Sequence, residues 1–137
     1  MSNNWYTISN AIILAICFIA LIGLSNGVNL TDGLDGLAAG CSSIVFFGLG
    51  TEIFIRGQKD LIIYGLISYA MSGLCIGFLK YNKYPAKIFM GDTGSLTIGA
   101  TLASISILTN SFFTLFIISG IFITEALSVM ILSLIHI

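Results

Sequence analysis

Three aspartates are the residues of this chain best suited to chemistry. Asp32 and Asp35 lie three residues apart in the stretch NLTDGLDGLA, and Asp92 lies in the stretch MGDTG. Each of them lies beside a long apolar run, and an ionisable residue at membrane depth marks a candidate functional site. We therefore treat these three carboxylates as candidate catalytic groups.

Glycines and hydroxyl groups surround the aspartates. Glycine lets the backbone approach a ligand closely, and magnesium binds few protein carboxylates while keeping waters and substrate phosphate oxygens. The pattern is therefore typical of a magnesium–phosphate site, in which the metal stabilises charge during phosphoryl transfer. The neighbouring glycines and hydroxyl residues are Gly33, Gly36, Gly91, Gly94, Thr31, Thr93 and Ser95.

Asn29 and Asn82 are candidates for neutral hydrogen bonds to a nucleotide or sugar. Asp-Gly and Asn-Leu-Thr-Asp sequences are also ordinary turn and cap chemistry, so an isolated acid of this kind would more often be structural. Function is favoured because three such acids fall on one side of a chain that has few other charges.

Membrane helices must position these residues. Of the 137 residues, 57% are hydrophobic and 8% are charged, whereas a soluble globular domain carries about 25% charged residues. Uncharged apolar runs of about 18 residues or more are typical of transmembrane helices. The composition therefore predicts an all-α polytopic transmembrane bundle, as one domain over residues 1–137. Its predicted spans are residues 8–25, 37–55, 61–80, 95–109 and 112–134, the fourth being short enough that its helix should begin in the preceding loop.

Counting the crossings places the three aspartates on one side of the membrane. The loops at residues 26–36 and 81–94 are separated by two spans, while the turns at 56–60 and 109–111 fall on the other side. Three lysines lie on the first side against two basic residues on the second, and those two are offset by acids. The positive-inside rule therefore assigns the long loops to the cytoplasm.

Two further expectations concern the helices themselves. If the second helix begins early, Asp32 and Asp35 share one of its faces and are favoured by the dipole at its amino terminus. Small-residue pairs at four-residue spacing would allow close approach between helices; these pairs are Gly36/Gly40 and Gly73/Gly77.

Other classes of function find less support. No basic stripe indicates a nucleic-acid partner, and His136 is a lone residue that we do not expect in a site. The cysteines share no ligand-like spacing, which argues against a disulfide framework or zinc site; they are expected to be small buried hydrophobes. Spacing alone leaves a cation transporter open, although a transporter would more naturally place its acids within the spans.

The two motifs NLTDGLDGLA, at 29–38, and PAKIFMGDTGSL, at 85–96, resemble the phospho-N-acetylmuramoyl-pentapeptide-transferase family. This family belongs to the polyprenyl-phosphate N-acetylhexosamine-1-phosphate transferases. Thr31 and Thr93 favour it over the relatives that transfer N-acetylglucosamine phosphate, which are the alternative. The resemblance implies magnesium-dependent transfer of phospho-N-acetylmuramoyl-pentapeptide from its UDP carrier to undecaprenyl phosphate. The products would be lipid I and UMP, in peptidoglycan synthesis at the cytoplasmic face of the bacterial inner membrane.

The resemblance also implies roles for individual residues. Asp92 corresponds to the family's magnesium-binding aspartate, and Asp32 and Asp35 correspond to acids near the nucleotide and catalytic cleft. Asn82 matches a polar active-site position, and Phe89 matches an aromatic residue near the uracil. The full set expected to bind substrate is Asn29, Asn82, Lys87, Phe89 and Gly91.

The chain departs from the family in its extent. The family has about ten spans of bilayer-crossing length, and this chain resembles the fifth to the ninth. The family's upstream Asp-Asp motif and downstream histidine run are missing, and the ending LSLIHI resembles translated adapter read-through. We therefore expect a gene fragment that is inactive alone. The full protein would have UDP-N-acetylmuramoyl-pentapeptide, undecaprenyl phosphate and the lipid bilayer as partners, with the oligomeric state, a homodimer included, left open.

Overall fold

The computed structural model describes residues 3–118 and 120–135, and these form helices and turns with no strand among them. The predicted all-α class is thus confirmed. His136, which we do not expect in a site, lies outside the described ranges. The helices are α1 (Asn3–Thr31), α2 (Leu37–Arg56), α3 (Ile62–Asn82), α4 (Gly91–Leu108), α5 (Phe112–Ile118) and α6 (Gly120–Ile135), with a 3-10 turn (Lys59–Leu61) before α3.

Three stretches within the described residues are long and apolar enough to cross a membrane: Asn10–Thr31, Leu37–Arg56 and Lys59–Asn82. They coincide with the first three predicted spans. α4 begins at Gly91 and therefore reaches back into the preceding loop, as its short predicted span required. The total of five crossings stays a prediction.

α1 continues past the predicted end of the first span at residue 25, although its last turns are polar. The Thr31 hydroxyl donates to the Gly27 carbonyl oxygen at 2.8 Å, and the Asn26 amide donates to that of Ile22 at 2.8 Å. Because these side chains satisfy their hydrogen bonds on their own helix, the helix persists and extends to the end of the bundle.

Antiparallel helix pairs organise the bundle: α2 packs against α3, and α1 packs against α4, with α6 also on α1. The Ser72 hydroxyl donates to the Ser43 carbonyl oxygen at 2.8 Å, and the hydroxyls of Thr51 and Tyr69 are hydrogen-bonded at 3.1 Å. Such bonds join helices where lipid offers no alternative partner. The largest apolar side chains buried in the core are Phe46, Phe122, Leu49, Ile53 and Leu102.

Of the four glycines expected to allow close helix approach, only Gly36 lies in a tight contact, against Leu79 and Lys83 at the end of α3. The prediction is wrong for three glycines, which have open space around them within the described part of the chain: Gly40, Gly73 and Gly77. Gly99 makes the tightest contact instead, because a Cβ atom there would overlap the carbonyl oxygen of Leu24 and the Cα atom of Ser25. The α1–α4 crossing therefore requires a residue without a side chain at position 99.

A polar cluster ties the helices together at the end of the bundle opposite the aspartates. Glu52 forms an ion pair with Arg56 and accepts a hydrogen bond from the Ser111 hydroxyl at 2.8 Å. The Arg56 guanidinium also donates to the carbonyl oxygens of Thr109 at 2.6 Å and Asn110 at 3.3 Å. Since a cation near a helix carboxyl terminus satisfies its free carbonyls, Arg56 fixes the turn after α4 to α2.

Replacing Gly99 with alanine should force α1 and α4 apart. Overpacking of this kind costs about 1–3 kcal/mol, so we expect Gly99→Ala to lower the melting temperature in detergent. The matched control is Gly73→Ala, on an exposed helical position with open space, which should not lower it. Equal melting temperatures for Gly99→Ala and the unmodified chain would contradict the proposed close contact.

Candidate active site

The three aspartates lie at one end of the bundle, as the crossing count predicted. Asp32 directly follows α1, Asp35 lies in the turn before α2, and Asp92 lies in the first turn of α4. The Ser95 hydroxyl, from the motif of Asp92, donates to the Asn29 side-chain oxygen, from the motif of Asp32, at 2.6 Å. The charge of Asp92 also contributes to a raised pKa of Asp32. Two motifs that are distant in sequence therefore form one candidate site.

The expectation that Asp32 and Asp35 occupy the start of the second helix is wrong. The Asp32 amide closes the last turn of α1 by donating to the Val28 carbonyl oxygen at 3.1 Å. Gly36 then adopts a left-handed conformation with φ of 80°, which interrupts the helical backbone before α2. Glycine adopts that conformation without a steric penalty. Since the helix is interrupted at Gly36, Asp32 and Asp35 lie in a turn before α2 and do not share a helical face.

The electrostatic environment of Asp32 is unfavourable for its charge. Burial raises the pKa of the Asp32 carboxyl above its ordinary value; a hydrogen bond from the Gly91 amide opposes this rise, and the nearby charge of Asp92 adds to it. Gly91 itself has a φ of 67°, a left-handed conformation. A bound cation would relieve the repulsion between the two carboxylates.

This pair of carboxylates fits a hard divalent cation that takes few protein ligands. Among the described residues, no group of three or more His, Cys, Asp or Glu side chains is suited to a metal ion. Magnesium commonly uses one or two carboxylates and completes its shell with waters and substrate phosphates. Asp92 is exposed and Asp32 is half-buried, so both remain open to such a shared ion.

Asn29 and Ser95 join α1 to α4 beside the carboxylate pair. The Ser95 hydroxyl, which is fully buried, donates to the Asn29 side-chain oxygen at 2.6 Å. Thr31 is buried as well and bonds within α1, whereas Thr93 is exposed. Of the three hydroxyl groups suggested by the sequence, Thr93 alone is therefore accessible to a ligand in this arrangement.

Asn82 and Asp35 hold the loop before α4 against the turn before α2. The Asn82 side-chain oxygen accepts a hydrogen bond from the Gly36 amide at 3.1 Å, and its nitrogen donates to the Ile88 carbonyl oxygen at 3.0 Å. The Asp35 carboxylate accepts a hydrogen bond from the Ala86 amide at 2.9 Å. Asn82 is only 2% exposed, so both ends of its side-chain amide serve the fold, and its contact with substrate stays a prediction.

The remaining predicted residues lie in the same loop and are accessible. Phe89 is 73% exposed, and Lys87 and Gly91 are also exposed residues. The Lys87 amide donates to the Tyr81 carbonyl oxygen at 2.8 Å, which fixes the course of the loop. The Ala86 amide could not be identified from the sequence as the hydrogen-bond donor to Asp35, since every residue except proline supplies a backbone donor.

Comparison with known proteins identifies the family of the chain. The sequence model described as glycosyl transferase family 4 matches residues 1–110. The chain belongs to glycosyl transferase family 4. The resemblance inferred from the two motifs is thus confirmed at the level of the family.

Eight curated relatives of this family-4 chain share one name. The chain is 87% identical over 131 residues to the phospho-N-acetylmuramoyl-pentapeptide-transferase of Prochlorococcus marinus subsp. pastoris (strain CCMP1986 / NIES-2087 / MED4). That match covers 96% of the chain and 36% of the relative. A relative of the same name in Synechococcus sp. (strain CC9311) is 47% identical over 122 residues, covering 89% of the chain and 33% of the relative. The family-4 chain thus spans about a third of the length of these relatives.

Replacing Asp92 with asparagine should lower the pKa of Asp32. The substitution removes a negative charge that favours the protonated form of the Asp32 carboxyl, so that carboxyl should lose its proton at lower pH. The shift is measurable by titrating side-chain 13C-labelled aspartate by NMR in detergent. Asp60→Asn, in the turn at the opposite end of the bundle, is the control and should leave the Asp32 titration in place. An unchanged or raised Asp32 pKa in Asp92→Asn would contradict the proximity of the two acids.

Proposed function

We propose that this chain carries the central part of the active site of a phospho-N-acetylmuramoyl-pentapeptide-transferase. The enzyme would move phospho-N-acetylmuramoyl-pentapeptide from its UDP carrier to undecaprenyl phosphate, giving lipid I and UMP. The observation that carries the proposal is the convergence of the motifs of Asp32 and Asp92 at one end of the bundle, where the Ser95–Asn29 hydrogen bond joins them. Membership of glycosyl transferase family 4 and 87% identity to a protein of this name support it.

The reaction needs a site that tolerates several phosphate charges. An oxygen of the lipid phosphate attacks the sugar-linked phosphorus, a new P–O bond forms, and the pyrophosphate bond breaks so that UMP leaves. Asp32 and Asp92 would hold magnesium, which when bound neutralises the pyrophosphate and stabilises the charge that develops. The exposed first turn of α4 gives Asp92 access to the substrate.

The loop before α4 would bind the donor. Lys87 is exposed and cationic there, and is suited to a phosphate contact. Phe89 is 73% exposed and is suited to stack on the uracil. Gly91 has no side chain and open space around it, which leaves room for the donor. Asn29 lies beside the carboxylate pair and is placed to orient a polar group of the nucleotide or sugar.

The active-site end is proposed to face the cytoplasm at the bacterial inner membrane. Three lysines lie at this end, and their side chains are exposed. At the other end there are two basic residues, Arg56 and Lys59. This asymmetry supports the orientation under the positive-inside rule.

A chimera tests the proposed reaction. The matched segment of the Prochlorococcus marinus MED4 relative is replaced by the corresponding part of this chain, and UMP release is followed with undecaprenyl phosphate as acceptor. We expect release from UDP-N-acetylmuramoyl-pentapeptide in the presence of magnesium and none after its removal. Release from UDP-N-acetylglucosamine alone would contradict the proposed donor. Absence of release from either donor, together with cation flux in vesicles, would instead favour a transporter.

Within the same chimera, Asp92→Asn should lower the rate of UMP release by at least about 100-fold, because a ligand to the charge-stabilising metal is lost. Asp60→Asn again serves as the control, since it removes the same charge far from the site, and its rate should stay near that of the chimera. A near-normal rate for Asp92→Asn would refute its assignment as a metal ligand.

A further inference from the structure

The two acids of the first motif contact different parts of the chain. Asp32 follows α1, which is joined to α4 near Asp92 by the Ser95–Asn29 hydrogen bond at 2.6 Å. Asp35 instead accepts a hydrogen bond from the Ala86 amide, in the middle of the loop that leads to α4. The presence of Asp32 and Asp35 in one motif therefore does not imply a shared role.

Asn82 reinforces the contact that Asp35 makes. Its side chain is buried and spans the gap between the two segments, bonding to the Gly36 amide on one side and the Ile88 carbonyl oxygen on the other. We call the side chains of Asp35 and Asn82, with the backbone groups of Gly36, Ala86 and Ile88, the loop latch. Since buried polar groups of this kind are costly to leave unpaired, the latch favours a single position of the loop.

The space around the latch is tight. A Cβ atom on Gly36 would lie 3.1 Å from the Leu79 side chain and 3.3 Å from the Lys83 Cα atom. The turn before α2 therefore packs directly on the end of α3, where the loop begins. The loop then carries Lys87 and Phe89 and ends at Gly91, which precedes Asp92 at the start of α4.

We propose that Asp35 is a positioning residue: its carboxylate acts as the hydrogen-bond acceptor that, with Asn82, holds the donor-binding loop in register with the Asp32–Asp92 pair. The expectation from the sequence was that Asp35 is catalytic. The inference rests on the proposed function for its kinetic consequence, whereas the latch itself is measurable without activity.

Variants that separate charge from hydrogen bonding test the inference in the chimera. Asp35→Asn removes the charge but keeps an acceptor oxygen for the Ala86 amide, and Asp35→Ala removes both. We expect Asp35→Ala to raise KM for the UDP donor at least about tenfold with a smaller change in kcat, because positioning of the loop is lost. Asp35→Asn should restore most of that loss. Asp32→Asn is the comparison, since at that position asparagine should not restore activity lost in Asp32→Ala.

Hydrogen exchange measures the latch directly. The Ala86 amide should exchange faster in Asp35→Ala than in the unmodified chimera and stay protected in Asp35→Asn. Asn82→Leu, which keeps the approximate shape but removes both hydrogen bonds, should speed exchange at the Gly36 amide and raise KM in the same way. This second variant decides the question if asparagine at position 35 proves unable to keep the loop in place.

Three outcomes would overturn the inference. In the first, Asp35→Asn raises KM as much as Asp35→Ala does while the Ala86 amide stays protected. That result would show that the charge of Asp35 is needed. Another is unchanged exchange and unchanged KM in both Asp35→Ala and Asn82→Leu. The third is faster exchange in those variants with no change in KM. If the unmodified chimera releases no UMP, the proposed function fails; unchanged exchange at Ala86 and Gly36 would show independently that the latch fails.

Discussion

The contact between α1 and α4 is the constraint on which the candidate site depends. Asp32 follows the last turn of α1 and Asp92 belongs to the first turn of α4, so they meet because these helices run antiparallel in close contact. Lipid provides no hydrophobic drive between helices, and small residues and interhelical hydrogen bonds take over that role. Gly99 supplies the close approach, and the Ser95–Asn29 hydrogen bond supplies the link beside the acids.

The charged side chains at the two ends of the bundle differ in whether they have an oppositely charged partner. At one end Arg56 is paired with Glu52 and covers the carbonyl oxygens after α4. At the other end Asp32 and Asp92 repel each other, and burial adds to the cost of ionising Asp32. An unfavourable free energy of ionisation of this kind is typical of a functional site. A bound cation with phosphate ligands would reduce it.

The sequence predicted what depends on composition and missed what depends on individual contacts. The apolar runs located α2 and α3 closely, and crossing parity placed the aspartates together. α1 outlasted its predicted span because Asn26 and Thr31 bond to their own helix. The spacing of small residues pointed to Gly73 and missed Gly99, since spacing does not show which face meets a neighbour.

The hydrogen-bond partners of the motif residues could not be predicted from the sequence either. Asn82 and Asp35 bond chiefly to backbone groups, and a backbone group carries no signature in sequence. The family resemblance therefore identified positions in the site, while the division of the acids into a paired Asp32 and a loop-holding Asp35 came from the geometry. Asp32 and Asp35 share a motif but lie in different environments, so the motif alone would have led to the same role for both.

The most direct test of the account is a cross-link between the two motif segments. Asn29→Cys and Ser95→Cys are introduced together into the chimera after the native cysteines are replaced by alanine, and a short bifunctional thiol reagent is applied in membranes. The account predicts efficient cross-linking within the chain for this pair and none for Asn29→Cys with Ser106→Cys, near the far end of α4. Failure of the first pair to cross-link while both cysteines react singly with the reagent would contradict the claim that α1 and α4 bring the motifs into one site.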